Sequence, residues 1–204
     1  YLATRLHPTD DLSVILGSRL STFKYNEDYG YIPGAGLDDT HASYKEHGVV
    51  TPYAGLVYDL NDTYSLYASY TSIYQPQTYK DINGSTLAPV EGDSYEAGLK
   101  AAYFDGRLNA ALALFRIEQD GVAESIGTNP VTNEGIYKSI DGATTQGVEL
   151  ELAGELAEGW NVSAGYTYAR TRDADEQRIY GYPLSTTKPE HVVRTFTTYR
   201  LPGA

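Results

Sequence analysis

Four histidines, His7, His41, His47 and His191, are the side chains of this chain best suited to proton transfer or metal ligation, and their spacing serves neither. No pair stands four residues apart with an intervening glutamate, and most fall where strands end or loops begin, so they read as solvated. The acidic groups Asp10-Asp11, Asp38-Asp39 and Asp173 with Asp175 and Glu176 lack the central glycine and terminal glutamate of a calcium loop. Glu149 and Glu151 share one face of an alternating run, as an acid-base carboxylate pair would, yet each is equally accounted for as a polar residue on a wet face. A serine-nucleophile motif and a phosphate-cradling glycine loop are both missing. Asn61, Asn83 and Asn161 begin glycosylation-type triplets that carry no chemistry of their own. With no cysteine, disulfides and thiolate metal sites are impossible. The sequence therefore predicts neither an enzyme nor a metal site. A formal charge of -12 with no basic stripe also excludes a phosphate-tracking nucleic-acid binder.

What the chain does carry is tyrosine, 20 of them against 4 phenylalanines and 1 tryptophan. A ring with a polar tip suits a boundary between hydrocarbon and water, although tyrosine is also a good strand former. In Thr63 to Tyr74, Tyr64, Leu66, Ala68, Tyr70 and Tyr74 share one side of a strand, and Ser65, Tyr67, Ser69 and Thr71 share the other. Trp160 to Arg170 repeats the pattern. Such a sheet is apolar on one face and wet on the other, which fits a soluble β domain or a membrane barrel. No run of about 18 apolar residues offers a transmembrane helix.

Alternation and turn signals predict an all-β chain of about nine strands. They run from Tyr1 to His7, Leu12 to Tyr25, Gly48 to Leu60, Thr63 to Tyr74, Asp93 to Phe104, Arg107 to Glu118, Ala143 to Leu156, Trp160 to Arg172 and Glu190 to Leu201. Tight turns (Pro8 to Asp11, Asn61-Asp62, Asp105-Gly106 and Ala157 to Gly159) alternate with long polar loops (Asn26 to His47, Gln75 to Gly92, Gln119 to Gly142 and Asp173 to Pro189). This rhythm is that of an antiparallel up-and-down meander whose rims face different environments. The strands are also longer than the ~5 to 6 residues usual in globular sheets, which favours tilted membrane crossings.

The clean alternation assigns faces. Val14, Leu16, Leu20, Ala54, Leu56, Tyr58, Tyr95, Leu99, Tyr103, Val148, Leu150, Leu152, Val162, Ala164, Tyr166 and Tyr168 are expected to face lipid. Arg19, Ser21, Tyr53, Glu96, Lys100, Gln146, Glu149, Glu151, Asn161, Ser163 and Thr167 are expected to face the interior. In Arg107 to Glu118 both faces are apolar through the middle, which a bulge or a buried inner face would explain.

Four segments, VTPYAGLVYDLNDTYSLYASYTSIYQPQ (Val50 to Gln77), YEAGLKAAYFDGRLNAALALFRIEQDG (Tyr95 to Gly121), DGATTQGVELELAGELAEGWNVSAGYTYARTRD (Asp141 to Asp173) and KPEHVVRTFTTYRLPG (Lys188 to Gly203), resemble the barrel of TonB-dependent ferric siderophore receptors of the hydroxamate, coprogen and pyoverdine type. The resemblance covers nearly the whole chain and keeps the order of its parts. It implies a segment of a 22-stranded barrel in the bacterial outer membrane, with a ferric siderophore as transported ligand, outer-membrane lipid around the wall and the TonB complex acting through a plug domain. Residues 1–204 then count as a partial barrel domain. The signal peptide, plug and terminal strands are expected elsewhere, in keeping with a chain that lacks methionine.

The same resemblance puts the tight turns in the periplasm and the long loops outside. Candidate ligand contacts are Tyr29, Tyr31, Tyr74, Tyr79, Arg170, Arg172, Tyr180 and Tyr182. Tyrosines can stack on a flat chromophore and arginines can meet an anionic chelate, although loop tyrosines often only pack a loop against itself. The alternatives are an autonomous soluble β domain binding carbohydrate through surface tyrosines, and a small outer-membrane enzyme barrel. The second needs a rim cluster of His, Ser and Asp that the sequence does not offer.

Overall fold

The computed structural model describes residues 1–29, 40–131, 133–172 and 189–201, and the side chains of all of these except 27–29 and 40–43. Its strands are β1 (Leu2–Leu6), β2 (Leu12–Tyr29), β3 (Thr40–Asp59), β4 (Tyr64–Gln75), β5 (Val90–Tyr103), β6 (Leu108–Asp120), β7 (Val122–Thr128), β8 (Gly135–Ile140), β9 (Ala143–Ala157), β10 (Trp160–Arg172) and β11 (His191–Tyr199). Nine of them form one antiparallel sheet in the order β1-β2-β3-β4-β5-β6-β9-β10-β11, with β7 and β8 paired separately. The expected nine-stranded meander is present. The differences lie at the long-loop end: β2 and β3 run on into the stretch expected as loop, and the loop after β6 folds into a hairpin.

At the other rim the turns are tight for stated reasons. Between β5 and β6 the Arg107 N–H donates to the Phe104 carbonyl at 3.3 Å. The central residues Asp105 and Gly106 take φ of 57° and 81°, the left-handed pair that a type I′ hairpin requires. Asn61 closes the β3–β4 turn by accepting the N–H groups of Thr63 (2.9 Å) and Tyr64 (3.0 Å) on its side-chain oxygen.

A single sheet has no second layer to bury its apolar face, and among the described residues no large side chain is fully buried. The apolar face instead stays open, with Leu56, Leu66, Leu112, Leu114 and Leu150 between 39% and 58% exposed. Cross-strand register aligns them into rows such as Leu66, Leu99, Leu112, Leu150 and Tyr166. Tyrosines bracket this band. Tyr70 meets Tyr95 near the long-loop end, ring centroids 5.5 Å apart, and Tyr64 meets Tyr103 near the tight turns at 6.0 Å. Tyr95 and Tyr103 are eight residues apart, roughly 27 Å along a strand. With a tilt of ~40° that spans close to the ~25 Å apolar band of a membrane barrel.

The wet face carries its own packing rule. Tyr53 lies over Gly17, Tyr67 over Gly98 and Phe115 over Gly147, each ring directly opposite its glycine in the register. A side chain at those glycines would collide with the ring. This resolves the ambiguous strand β6: its pairing with β5 and β9 is unbroken, without a bulge. Its inner face is apolar because Ala113 is buried and Phe115 covers Gly147. One face assignment is corrected. Gln146 pairs with Arg116 and Arg170 in the row beside Val148 and Tyr168, so it lies on the apolar-face side, not the interior. Two residues separate Gln146 from Val148, and period two keeps them together.

Candidate functional site at the long-loop end

The long-loop end is built from side-chain clamps rather than from sheet alone. Asp120-Gly121 and Asp141-Gly142 stand at the two feet of the β7–β8 hairpin, and each aspartate accepts the other dipeptide's glycine N–H. The Gly142 N–H reaches Asp120 Oδ1 at 2.6 Å, and the Gly121 N–H reaches Asp141 Oδ1 at 3.0 Å. Both glycines have positive φ, 78° at Gly121 and 72° at Gly142, which turns the chain out of β6 and back into β9. Beneath the clamp Val90, Val122 and Ala143 form a small buried cluster against Ile140. Gln77 fastens the preceding loop to the same place by donating to the carbonyls of Ala88 and Gly121, the latter at 2.7 Å.

That preceding loop is ordered by Asp81. Its Oδ1 accepts the N–H groups of Asn83 (2.9 Å) and Ser85 (2.8 Å), a turn in which the carboxylate replaces a backbone acceptor. The Ser85 N–H, joined by Asn83, holds the Asp81 carboxyl below its ordinary range. The loop then docks on the hairpin. The Tyr137 N–H donates to the Lys80 carbonyl at 2.9 Å, the Tyr79 and Tyr137 rings lie 4.5 Å apart, and Lys80 Nζ stands 4.0 Å from Glu134.

A second clamp ties the β2–β3 extension to β4. Gly48, at φ 74°, is the extra residue where the β2–β3 register shifts. Beyond it, Glu46 accepts hydroxyl hydrogen bonds from Tyr44 and from Tyr74, the second at 2.5 Å. Phe23 stacks on Tyr74 with centroids 5.5 Å apart. The Tyr44 and Tyr74 hydroxyls hold the Glu46 carboxyl below its ordinary range. Burial and the same carboxylate push both phenols up.

The sequence-predicted contacts fall into three groups. Tyr74 is taken up by the Glu46 clamp, and Tyr79 packs on Tyr137. Arg170 and Arg172 lie near the end of β10 on the row parity of Tyr166 and Tyr168, and Arg170 Nε stands 3.9 Å from Glu190. Tyr31, Tyr180 and Tyr182 lie outside the described residues, and Tyr29 is described only in its backbone at the end of β2. Sequence reasoning missed Gln77, Asp120, Tyr137 and Asp141. The repeated Asp-Gly dipeptide at 120–121 and 141–142 was the available signal, since such a pair marks a reversal of the chain. Among the described residues no three His, Asp or Glu side chains come together as metal ligands.

Comparison with known proteins follows the same lines. The model of the TonB-dependent receptor-like β-barrel family matches residues 1–204. Over its full length the chain is 46% identical to the ferric-pyoverdine BN7/BN8 receptor of Pseudomonas putida and 42% identical to the ferripyoverdine receptor of Pseudomonas aeruginosa. It spans about a quarter of each, 24% of their length. The crystal structure of the Pseudomonas aeruginosa outer-membrane receptor bound to ferripyoverdine superposes on 99% of this chain with a TM-score of 0.76 at 40% identity, the chain covering 25% of that structure. An apolar face without a second layer, bracketed by tyrosines, is what a bilayer-embedded wall requires, and the chain belongs to the TonB-dependent receptor β-barrel family of the outer membrane.

Proposed function

We propose that this chain is a partial barrel domain, the wall and outer loops of a receptor that binds a ferric siderophore of the pyoverdine class and imports it in a TonB-dependent way. The observation that carries the reading is the identity of 42–46%, sustained over the whole chain, to receptors named for ferric pyoverdine. The geometry supports it. The described part of the long-loop end is aromatic and held in place by the Asp120/Asp141 and Glu46 clamps, so it presents a rigid surface that a chelate can meet without first ordering it. Tyr79, with Tyr29, Tyr31, Tyr180 and Tyr182, is the proposed stacking surface. Binding and conformational work, not bond-making, is the task, and the receptor is not an enzyme. The TonB complex acts through a plug domain, and no cofactor is needed besides the iron chelate that is its cargo.

The test is uptake of ⁵⁵Fe-pyoverdine by cells whose only siderophore receptor contains this chain. Uptake that requires TonB and falls about tenfold with Tyr79→Ala, at unchanged receptor level, is expected for a lost stacking contact of ~1 kcal/mol or more. Cells that import other ferric siderophores but no ferric pyoverdine overturn the ligand class.

A further inference from the structure

The register brings a set of residues together on the outside of the sheet, away from any path through the barrel. Arg116 on β6 and Arg170 on β10 both pair with Gln146 on β9, so the three form one row across neighbouring strands. Two strand spacings separate the arginine backbones, about 10 Å, with Gln146 as the exposed floor between them. One row closer to the membrane centre stand Leu114, Val148 and Tyr168, and the next holds Leu112, Leu150 and Tyr166. Below that the strands present Ala110, Leu152 and Ala164. The two alanines recede where larger side chains surround them, and an open apolar groove of about 450 Å³ runs over Leu99, Leu112, Leu150 and these alanines.

We propose that this is a binding site for a phosphate-bearing lipid of the outer leaflet, its head group held between Arg116 and Arg170 and one acyl chain laid in the alanine-floored groove. The charges sit one row beyond the last apolar row and level with Tyr95, the height at which a membrane barrel meets lipid head groups. Each arginine has an acidic neighbour. Arg116 Nε contacts Glu118 at 2.7 Å, and Arg170 Nε lies 3.9 Å from Glu190. Arg116 and Glu118 are both about half exposed, and such pairs contribute only ~0–1 kcal/mol. Both recorded contacts use Nε, which leaves the forked terminal nitrogens to grip a phosphate from either side. Continuity between charge and groove selects a lipid over a free anion. Inorganic phosphate would gain the arginines but nothing from the apolar slot.

The experiment uses the full-length receptor containing this chain, folded in detergent and analysed by native mass spectrometry with diphosphorylated lipid A as probe. One retained lipid per barrel is expected. Arg116→Gln with Arg170→Gln should lower retention about tenfold, as should Gln146→Glu, which sets a carboxylate on the floor and leaves both arginines in place. Heat-dependent mobility on gels verifies that each variant barrel is folded. Lipid A stripped of its phosphates should bind wild type and variants alike, and a millimolar excess of inorganic phosphate should displace little. Equal retention of the diphosphorylated lipid by wild type and both variants overturns the proposal, as does its complete displacement by inorganic phosphate, which would mark a free-anion site.

Discussion

The membrane band and the long-loop end of this molecule are held together in opposite ways. In the band each strand repeats one instruction, apolar outward and polar inward, and adjacent strands enforce it through unbroken pairing from β3 to β6 and on through β9 and β10. No single side chain matters much beyond its own place in a row. At the long-loop end the reverse holds: one carboxylate at a time fixes a hairpin foot, a turn or a strand extension. Redundant order resists most substitutions except those that violate the solvent, whereas clamped order fails at one residue and fails locally.

The sharpest way to break the contrast is to violate the solvent. Leu150 lies mid-band, 45% exposed on the apolar face. Leu150→Arg in the full receptor should destabilise the barrel by ~2–4 kcal/mol, read from the urea dependence of folding into bilayers. On the opposite face Ser163→Arg, one residue from Ala164, should cost far less. Equal costs at the two positions would refute the face assignment.

A smaller and purely local loss is expected at the hairpin feet. Asp120→Ala with Asp141→Ala leaves the Gly121 and Gly142 N–H groups without their acceptors, worth ~1–3 kcal/mol where those groups are shielded from water. Hydrogen exchange should accelerate across β7 and β8 and stay slow in β5, β6 and β9. Faster exchange throughout the band would show that the two regions are not independent.

The same contrast explains what could be read from the amino acids. The wall was legible because period two survives for a dozen residues and a one-residue slip would turn Leu66, Leu112 and Leu150 to the wet side together. Tight turns were legible through Asp105-Gly106 and Asn61, whose chemistry is local. The β7–β8 hairpin was not, since Val122–Thr128 is short and its order comes from Asp120 and Asp141, 21 residues apart in sequence. The clamp at Glu46 was equally hidden, because its partner Tyr74 lies 28 residues away on another strand. The inner face of β6 was ambiguous because Phe115 is explained only by Gly147 across the sheet. Of the proposed ligand contacts, Tyr74 and Tyr79 were visible as tyrosines near strand ends, but not the neighbours that claim their rings and hydroxyls.

The gentlest test of the contrast is pH. The Tyr44 and Tyr74 hydroxyls hold the Glu46 carboxyl below its ordinary value of 4.5, so the folded state binds that proton less readily than the unfolded chain does. The clamp's contribution is therefore complete above pH 4.5 and lost as pH falls through the lowered value. Because Glu46 is exposed, the effect should stay confined to the backbone around residues 22–25 and 44–47. Hydrogen exchange there should be flat from pH 7 to 5 after correction for intrinsic rates, and protection should fall below about pH 4. Glu46→Gln keeps an acceptor oxygen for the two hydroxyls but cannot titrate, so it should remove the acid-dependent loss while leaving the neutral-pH protection nearly intact. If the acid loss persists in that variant, the pin between the β2–β3 extension and β4 belongs to other groups, and the idea that single carboxylates fix this end of the molecule fails at its most exposed example.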